Sequence, residues 1–290
     1  MKIGVSSYSY SRLVKTGALP QIDVIQKAKE TGFDVIEFST IAVPQGKTLP
    51  AFAAELRAEA ERVGIPIANY TIGADFLSGS GGDLKVEIAR VKREVDVARI
   101  LGVPGMRHDA TGGFPAGQIG PKDFSAALHR LAEGCRAVTE YAATLGIRTM
   151  VENHGFFCQD SERVERLVNA VAHPNFGVLV DMGNFACADE DPGAAVGRLV
   201  RYAFHAHAKD FHLRSGALFP PGEGWFVSRG GNFLRGAIIG HGDIPVGQCI
   251  RILKKAGYDG VLSVEFEGME DALTGIRIGL DNLRRLVAAV

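Results

Sequence analysis

Short apolar runs alternate with longer segments in which apolar residues recur every third or fourth position, from one end of the chain to the other. The runs Ile3–Ser7, Phe33–Phe38, Pro66–Tyr70, Pro104–His108, Ile147–Glu152, Phe176–Asp181, Ala203–Lys209 and Gly260–Glu265 predict strands. The periodic segments Pro20–Glu30, Pro50–Val63, Leu84–Leu101, Pro121–Leu145, Ser161–Ala170, Pro192–Val200, Pro245–Lys254 and Ala272–Ala288 predict helices. A strand that is always followed by a helix predicts parallel pairing through crossovers, and closing such a sheet removes both of its edges. The expected fold class is therefore α/β: one (β/α)8 TIM barrel forming a single domain over residues 1–290.

Punctuation agrees with this reading. Gly32, Gly64, Gly102, Gly146 and Gly257 each stand between a helical pattern and an apolar strand. Glycine closes a helix there by adopting the left-handed conformation without a side-chain clash. The recurrence is a weak internal repeat, which a doubly wound sheet would also produce. Arg214–His241 is rich in glycine, carries Pro220-Pro221 and Trp225, and shows little helical periodicity. It follows the seventh strand, so a long loop covering the site-bearing rim is expected. Gly79–Gly82 and Thr111–Gly120 fall after strands and add irregular chain to the same rim.

Composition narrows the class. The 290 residues are 46% hydrophobic and 22% charged, enough to bury a large core. With 32 basic and 33 acidic residues the net charge is −1, so no global field favours nucleic acid or membrane as a partner. Cys135, Cys158, Cys187 and Cys249 lack paired spacing, which argues against a zinc ribbon or a disulfide framework. MKIGVSSYSYS turns polar too soon for a signal peptide, and no apolar run reaches membrane-span length. A soluble, cytoplasmic protein is expected.

The chemistry gathers on the last four predicted strands. Glu152 ends TMVE, Asp181 ends GVLVD, His207 lies in AFHAHAKD and Glu265 ends GVLSVE. Each run is apolar up to its polar residue, so each should deliver one side chain to the C-terminal rim. Adjacent strands lie ~4.8 Å apart, close enough for four such groups to surround one ion. Three carboxylates and one imidazole suit a single divalent metal, Mn²⁺ by preference, with Mg²⁺, Co²⁺, Zn²⁺ or Fe²⁺ as alternatives. Glu152 and Glu265 also suit acid–base work: on opposite faces of a keto-sugar they would remove and return a carbon-bound proton through an enediolate. Return at the same carbon inverts it; return at its neighbour moves the carbonyl. The residues alone do not choose between epimerase and isomerase.

Further polar groups are candidate substrate contacts. His154, Asn184 and Lys209 stand two or three positions beyond the proposed ligands, and each could equally support them. Arg214, Trp225 and His241, with His212, come from the long loop. His108, with Asp109, ends the fourth strand, and Glu37 ends the second, where it would bind a hydroxyl or orient its neighbours. His205 shares the parity of His207 but lies deeper, as a core imidazole would. No strand–GxGxxG–helix arrangement, GKS or GKT, nucleophile elbow or HExxH is present.

ENHG at Glu152–Gly155, DMGN at Asp181–Asn184, HAKDF at His207–Phe211, GHGDI at Gly240–Ile244 and AGYDGVLSVEFEG at Ala256–Gly268 together resemble the sugar phosphate isomerase/epimerase superfamily, the xylose isomerase-like barrels. The resemblance spans essentially the whole chain. In the ketose 3-epimerase branch it implies that Glu152, Asp181, His207 and Glu265 hold Mn²⁺ or a similar ion, with the two glutamates as proton-transfer pair. Two positions depart from that branch: Asn184 stands near the place of a substrate-binding histidine, and Arg214 only loosely matches an arginine that follows the metal histidine. The superfamily also contains inosose dehydratases, hydroxypyruvate isomerases, dehydroshikimate dehydratases and lyases of oxidised sugars or glycosides. A lyase is thus the nearest alternative, with His154 or His241 as general acid. A barrel that binds sugar without catalysis is a more distant one. An endonuclease IV type of enzyme would need more metal ligands and a basic face. The expected partner is a small carbohydrate, with no nucleic acid or membrane, in a homodimer or homotetramer.

Overall fold

The computed structural model describes residues 1–115 and 117–290. Eight parallel strands close into a barrel: β1 (Lys2–Ser6), β2 (Val35–Ser39), β3 (Ile67–Ile72), β4 (Gly105–His108), β5 (Arg148–Glu152), β6 (Phe176–Asp181), β7 (Ala203–Ala208) and β11 (Val261–Val264). Pairing of β1 with β11 completes the ring, with Lys2 opposite Val261 and Val5 opposite Val264. The expected barrel is present, and the predicted strands match the observed ones to within two residues at every end.

Helices α1 (Ser11–Lys15), α2 (Asp23–Thr31), α3 (Leu49–Val63), α4 (Leu84–Leu101), α5 (Phe124–Thr144), α6 (Ser161–Val171), α7 (Asn184–Cys187), α8 (Pro192–Leu199), α9 (Val246–Lys255) and α10 (Ala272–Ala289) fill the connections. Their starts are written locally. Thr48, Asp83, Asp123, Asp160, Asp191 and Asp271 each accept a backbone N–H of the first turn. Gly64 and Gly102 end α3 and α4 at φ 72° and 74°, the left-handed geometry the sequence predicted. The core lies between the barrel and this shell, with Phe38, Leu56, Met106, Leu131 and Phe185 fully buried.

The long segment after β7 differs from expectation. Rather than a structureless loop it forms a three-stranded antiparallel sheet, β8 (Asp210–Arg214), β9 (Phe226–Val227) and β10 (Phe233–Ala237), in the order β8-β10-β9. Phe211 and Leu234 bury against the molecule while Leu213 stays exposed. Strands this short, interrupted by glycine, carry too little alternation to be read from sequence, and their pairing is non-local. Asp210 anchors the return of the chain by accepting N–H bonds from Gly240, Gly242 and Ile244. Within Thr111–Gly120, residue 116 lies outside the described residues.

Candidate metal centre

The four strand ends bring their polar groups together. Glu152, Asp181, His207 and Glu265 each offer an atom within 4.8 Å of the others, and all four residues are buried. From His207 Nδ1 the carboxylate oxygens stand at 3.6 Å (Asp181 Oδ2), 3.5 Å (Glu265 Oε2) and 4.0 Å (Glu152 Oε1). Barrel register sets this up: Asp181 lies opposite His207 across β6 and β7, and the Glu265 N–H bonds to Ala208 on β7.

Local bonds then aim each group. Asn153 clips β5 to β6 by donating to the Asp181 carbonyl and accepting the Asp181 N–H, both at 2.9 Å. Asp181 Oδ1 is satisfied by the N–H groups of Gly183 and Asn184. Gly183 is required by space: a Cβ there would meet the Lys209 carbonyl oxygen at 2.9 Å. His207 Nε2 lies 2.5 Å from Glu37 Oε1, which turns Nδ1 toward the carboxylates. Asp181 Oδ2 and His207 Nδ1 are left buried with no hydrogen-bond partner. Two buried ligand atoms outside any hydrogen bond, facing one point beside two more carboxylates, are the pattern a cation resolves once the imidazole gives up its proton. The donor set fits a divalent metal, and the Nε2-side carboxylate supplies the outer support such histidines use.

A second triple, Glu37, His205 and His207, also falls within 4.8 Å. There, however, both imidazole Nε2 atoms stand 2.5–2.6 Å from the Glu37 carboxylate. Donors that share an ion at ~2.0–2.2 Å each stand ~3 Å or more from one another. The triple is a brace beneath the upper site, closed by the His207–Glu37 hydrogen bond, with His205 Nε2 bonded to Ser263 Oγ at 3.1 Å.

The electrostatics follow. Burial pushes the Glu37 carboxyl up, but His207 and His205 outweigh it and hold it well below the usual range. Burial pulls the His207 imidazole down, yet Glu37 and Glu265 push it well above 6.5. Glu265 is lifted by burial and pulled much further down by Lys209 and His207. Glu152 moves the other way, because burial outweighs the Arg107 and His207 charges. Lys209 Nζ lies 2.6 Å from Glu265 Oε2 and 3.3 Å from Asp181 Oδ2. Despite burial, these two carboxylates raise its pKa further.

A cavity of about 250 Å³ opens above the quartet and is lined by Glu152, His154, Lys209 and Glu265 among others. Of the remaining sequence candidates, Asn184 sits just behind it: Nδ2 donates to Glu152 Oε1 and Oδ1 accepts from Lys209. Glu37 lies below His207, away from the cavity. His108 is fully buried, its ring edge-on to Phe76 and 6.1 Å from Phe176. Arg214 lines a separate cavity with Asp189, Asn232 and Asp243. Trp225 packs under the Arg235 guanidinium on the antiparallel sheet, and His241 is exposed on the turn before α9. None of the last four residues lines the quartet's cavity.

Arg107, Glu267 and Tyr8 do line it and were not singled out from the sequence. Arg107 had a legible signal, a charge inside an apolar strand at the same parity as Asp109. Glu267 likewise shares the parity of Glu265. Tyr8 had none. The cysteines are all buried and free, and among the described residues no helix is long and apolar enough to cross a membrane.

Comparison with known proteins agrees with this architecture. The xylose isomerase-like TIM barrel family matches residues 25–286, and the chain belongs to that family. A Rhizobium meliloti protein, the rhizopine catabolism protein MocC, is 31% identical over 158 residues, covering 52% of this chain and 47% of that one. The chain thus spans about half the length of the curated relative it matches. Among solved structures, D-psicose 3-epimerase with D-tagatose from Clostridium cellulolyticum H10 superposes with a TM-score of 0.73 at 19% identity, covering 99% of each chain. The 3-keto-D-glucoside 4-epimerase of E. coli gives 0.71 at 16% identity, covering 98% of this chain and 99% of that one. At such identities these structures establish the shared fold.

Proposed function

We propose that this family member is a divalent-metal-dependent sugar isomerase or epimerase acting on a ketose or related keto-sugar. The observation that carries the reading is the buried quartet with His207 Nδ1 and Asp181 Oδ2 outside any hydrogen bond. Glu152, Asp181, His207 and Glu265 would hold one ion, manganese by preference because oxygen donors outnumber nitrogen. When bound, the ion supplies Lewis-acid charge that makes a hydrogen beside a sugar carbonyl more acidic.

The chain's own groups do the rest. Glu152 and Glu265 both face the cavity and would serve as the proton-transfer pair, one taking the proton from carbon on one face of the sugar and the other returning one. Lys209 and His154 face the cavity and would bind sugar oxygens, while Asn184 and Glu37 hold Glu152 and His207 in place. The names of the superposed epimerases, which act on D-psicose and on a 3-keto-D-glucoside, support inversion beside a carbonyl.

The test loads the protein with Mn²⁺ and offers ketoses, inososes and 3-oxo-glycosides in deuterated water, read by NMR and mass. Exchange of one carbon-bound hydrogen with otherwise conserved mass is expected. No exchange with any of them, under Mn²⁺, Mg²⁺, Co²⁺, Zn²⁺ or Fe²⁺, would end the proposal.

One observation favours a second reading, a dehydratase or lyase. His154 Nδ1 lies 2.9 Å from Asp109 Oδ1 at the cavity wall. Burial pulls its pKa down, but the Asp109 hydrogen bond prevails and raises it, which favours an imidazole that would give a proton to a departing hydroxyl. Net loss of water and an absorbing enone would select this outcome.

A further inference from the structure

A second cavity, about 200 Å³, adjoins the one above the quartet. Tyr8, Ser39 and Thr40 line both. The inner compartment holds the reactive carboxylates; the outer runs over the turn Ser7–Tyr10, α1 and the chain after β2. Ordinary small-molecule sites enclose roughly 300–1,000 Å³, which neither compartment reaches alone and the two together do.

The partition between them is built rather than incidental. Thr40 adopts φ 42°, a conformation that a β-branched side chain strongly disfavours. It is held there from both sides: its N–H donates to the Thr71 carbonyl, and its own carbonyl accepts from Gln21 Nε2. Gln21 is buried, and its Oε1 accepts the Ala42 N–H at 2.7 Å. Ser7 Oγ accepts the Ser39 N–H at 2.9 Å and ties the turn to the end of β2. The strain is thus fixed at the seam between the compartments.

The outer lining names its ligand's character. Val14, Ala42 and the Tyr8 ring give apolar surface, Ser11 gives a hydroxyl, Ser7 and Gln21 spend their polar atoms on the backbone of Ser39, Thr40 and Ala42, and the single charge is Lys15, which is exposed. No carboxylate lines it. We propose that the outer compartment is a subsite for an uncharged ring carried by the reacting sugar, so that the substrate is a glycosylated keto-sugar rather than a free monosaccharide. A ring with an apolar face and polar edges meets that lining, whether a second sugar or a phenol. The inference rests on the inner cavity being the sugar site proposed above.

Binding tests it without turnover. Calorimetry on the Mn²⁺-loaded protein would compare methyl β-D-glucopyranoside, phenyl β-D-glucopyranoside and methyl β-cellobioside. At least one larger probe should bind at least about fivefold more tightly than the methyl glucoside. Ala42→Trp and Val14→Phe, which fill the outer compartment, should bring that ratio close to one. Preference for the phenyl or the cellobioside probe distinguishes an aromatic from a sugar occupant. Equal affinities in the unaltered protein, no binding of either larger probe, or a ratio that survives both substitutions would overturn the subsite. Lack of carbon–deuterium exchange would sink only the isomerase reading, because these probes lack a carbonyl and report binding alone.

Discussion

Arg107 Nε on β4 lies 2.6 Å from Glu152 Oε2 on the neighbouring β5, and each side chain is only 4% exposed. The same guanidinium reaches Asp109 Oδ1 at 2.8 Å and donates to the Ile72 carbonyl. One cation therefore holds a carboxylate of the quartet, the partner of His154 and the end of β3. Burial opposes its charge, but Asp109 and Glu152 prevail and raise its pKa.

Arg107→Met should leave buried carboxylates unpaired and destabilise the metal-free protein by roughly 3–5 kcal/mol. Arg107→Lys should keep part of that stability but lose the bridge, since one ammonium lacks the planar fork that serves two carboxylates. Urea unfolding of the three proteins measures it. A methionine variant within about 1 kcal/mol of the parent, the range of an exposed pair, would show that the bridge is absent.

Metal uptake should displace protons. His207 is raised well above 6.5 by Glu37 and Glu265 and so is protonated near neutrality, whereas a metal ligand must be neutral. Affinity for Mn²⁺ should climb as pH rises through the neutral range, and calorimetry in buffers of differing ionisation enthalpy should detect released protons. The sign for the metal-free fold is opposite: a raised pKa contributes stability below 6.5 that is lost as pH climbs through the folded value. Saturation at about 100 times Kd should stabilise the protein by about 2.7 kcal/mol, and Asp181→Asn should remove most of that gain. Affinity that is flat with pH would contradict the protonated state of His207.

Glu265→Gln should abolish carbon–deuterium exchange with turnover at least about 100-fold lower, as expected on losing one of the proton-transfer pair. Glu152→Gln should depress turnover far more than it weakens an unreactive analogue. Small, equal effects of the latter change on both measurements would remove Glu152 from proton transfer.

At the start of α4, Glu87 accepts from Arg90, Ser80 and the Asp75 N–H. Burial pushes its carboxyl up, but these partners hold it down at about 2, against 4.5 when unfolded. Its stabilisation is complete above 4.5 and disappears as pH falls toward 2. Glu87→Gln should flatten the acid limb of a melting-temperature profile over that window. An unchanged limb would place the acid sensitivity elsewhere.

Much of the molecule is legible in one dimension. Apolar period, helix-closing glycines such as Gly64 and N-caps such as Asp83 act between near neighbours, so they mark the barrel's elements almost to the residue. A polar residue closing an apolar strand also states its own height in a barrel, which is why Glu152, Asp181, His207 and Glu265 could be grouped before any contact was seen. Other assignments depended on which way a side chain leans and on what stands across from it. Glu37 braces His207 from beneath, and His108 turns into the core. Arg107 pairs across two strands, while Arg214 and Trp225 follow a small antiparallel sheet away from the cavity. Periodicity is a property of the chain alone; partnership between distant residues exists only once the ring has closed and brought them within a few ångströms.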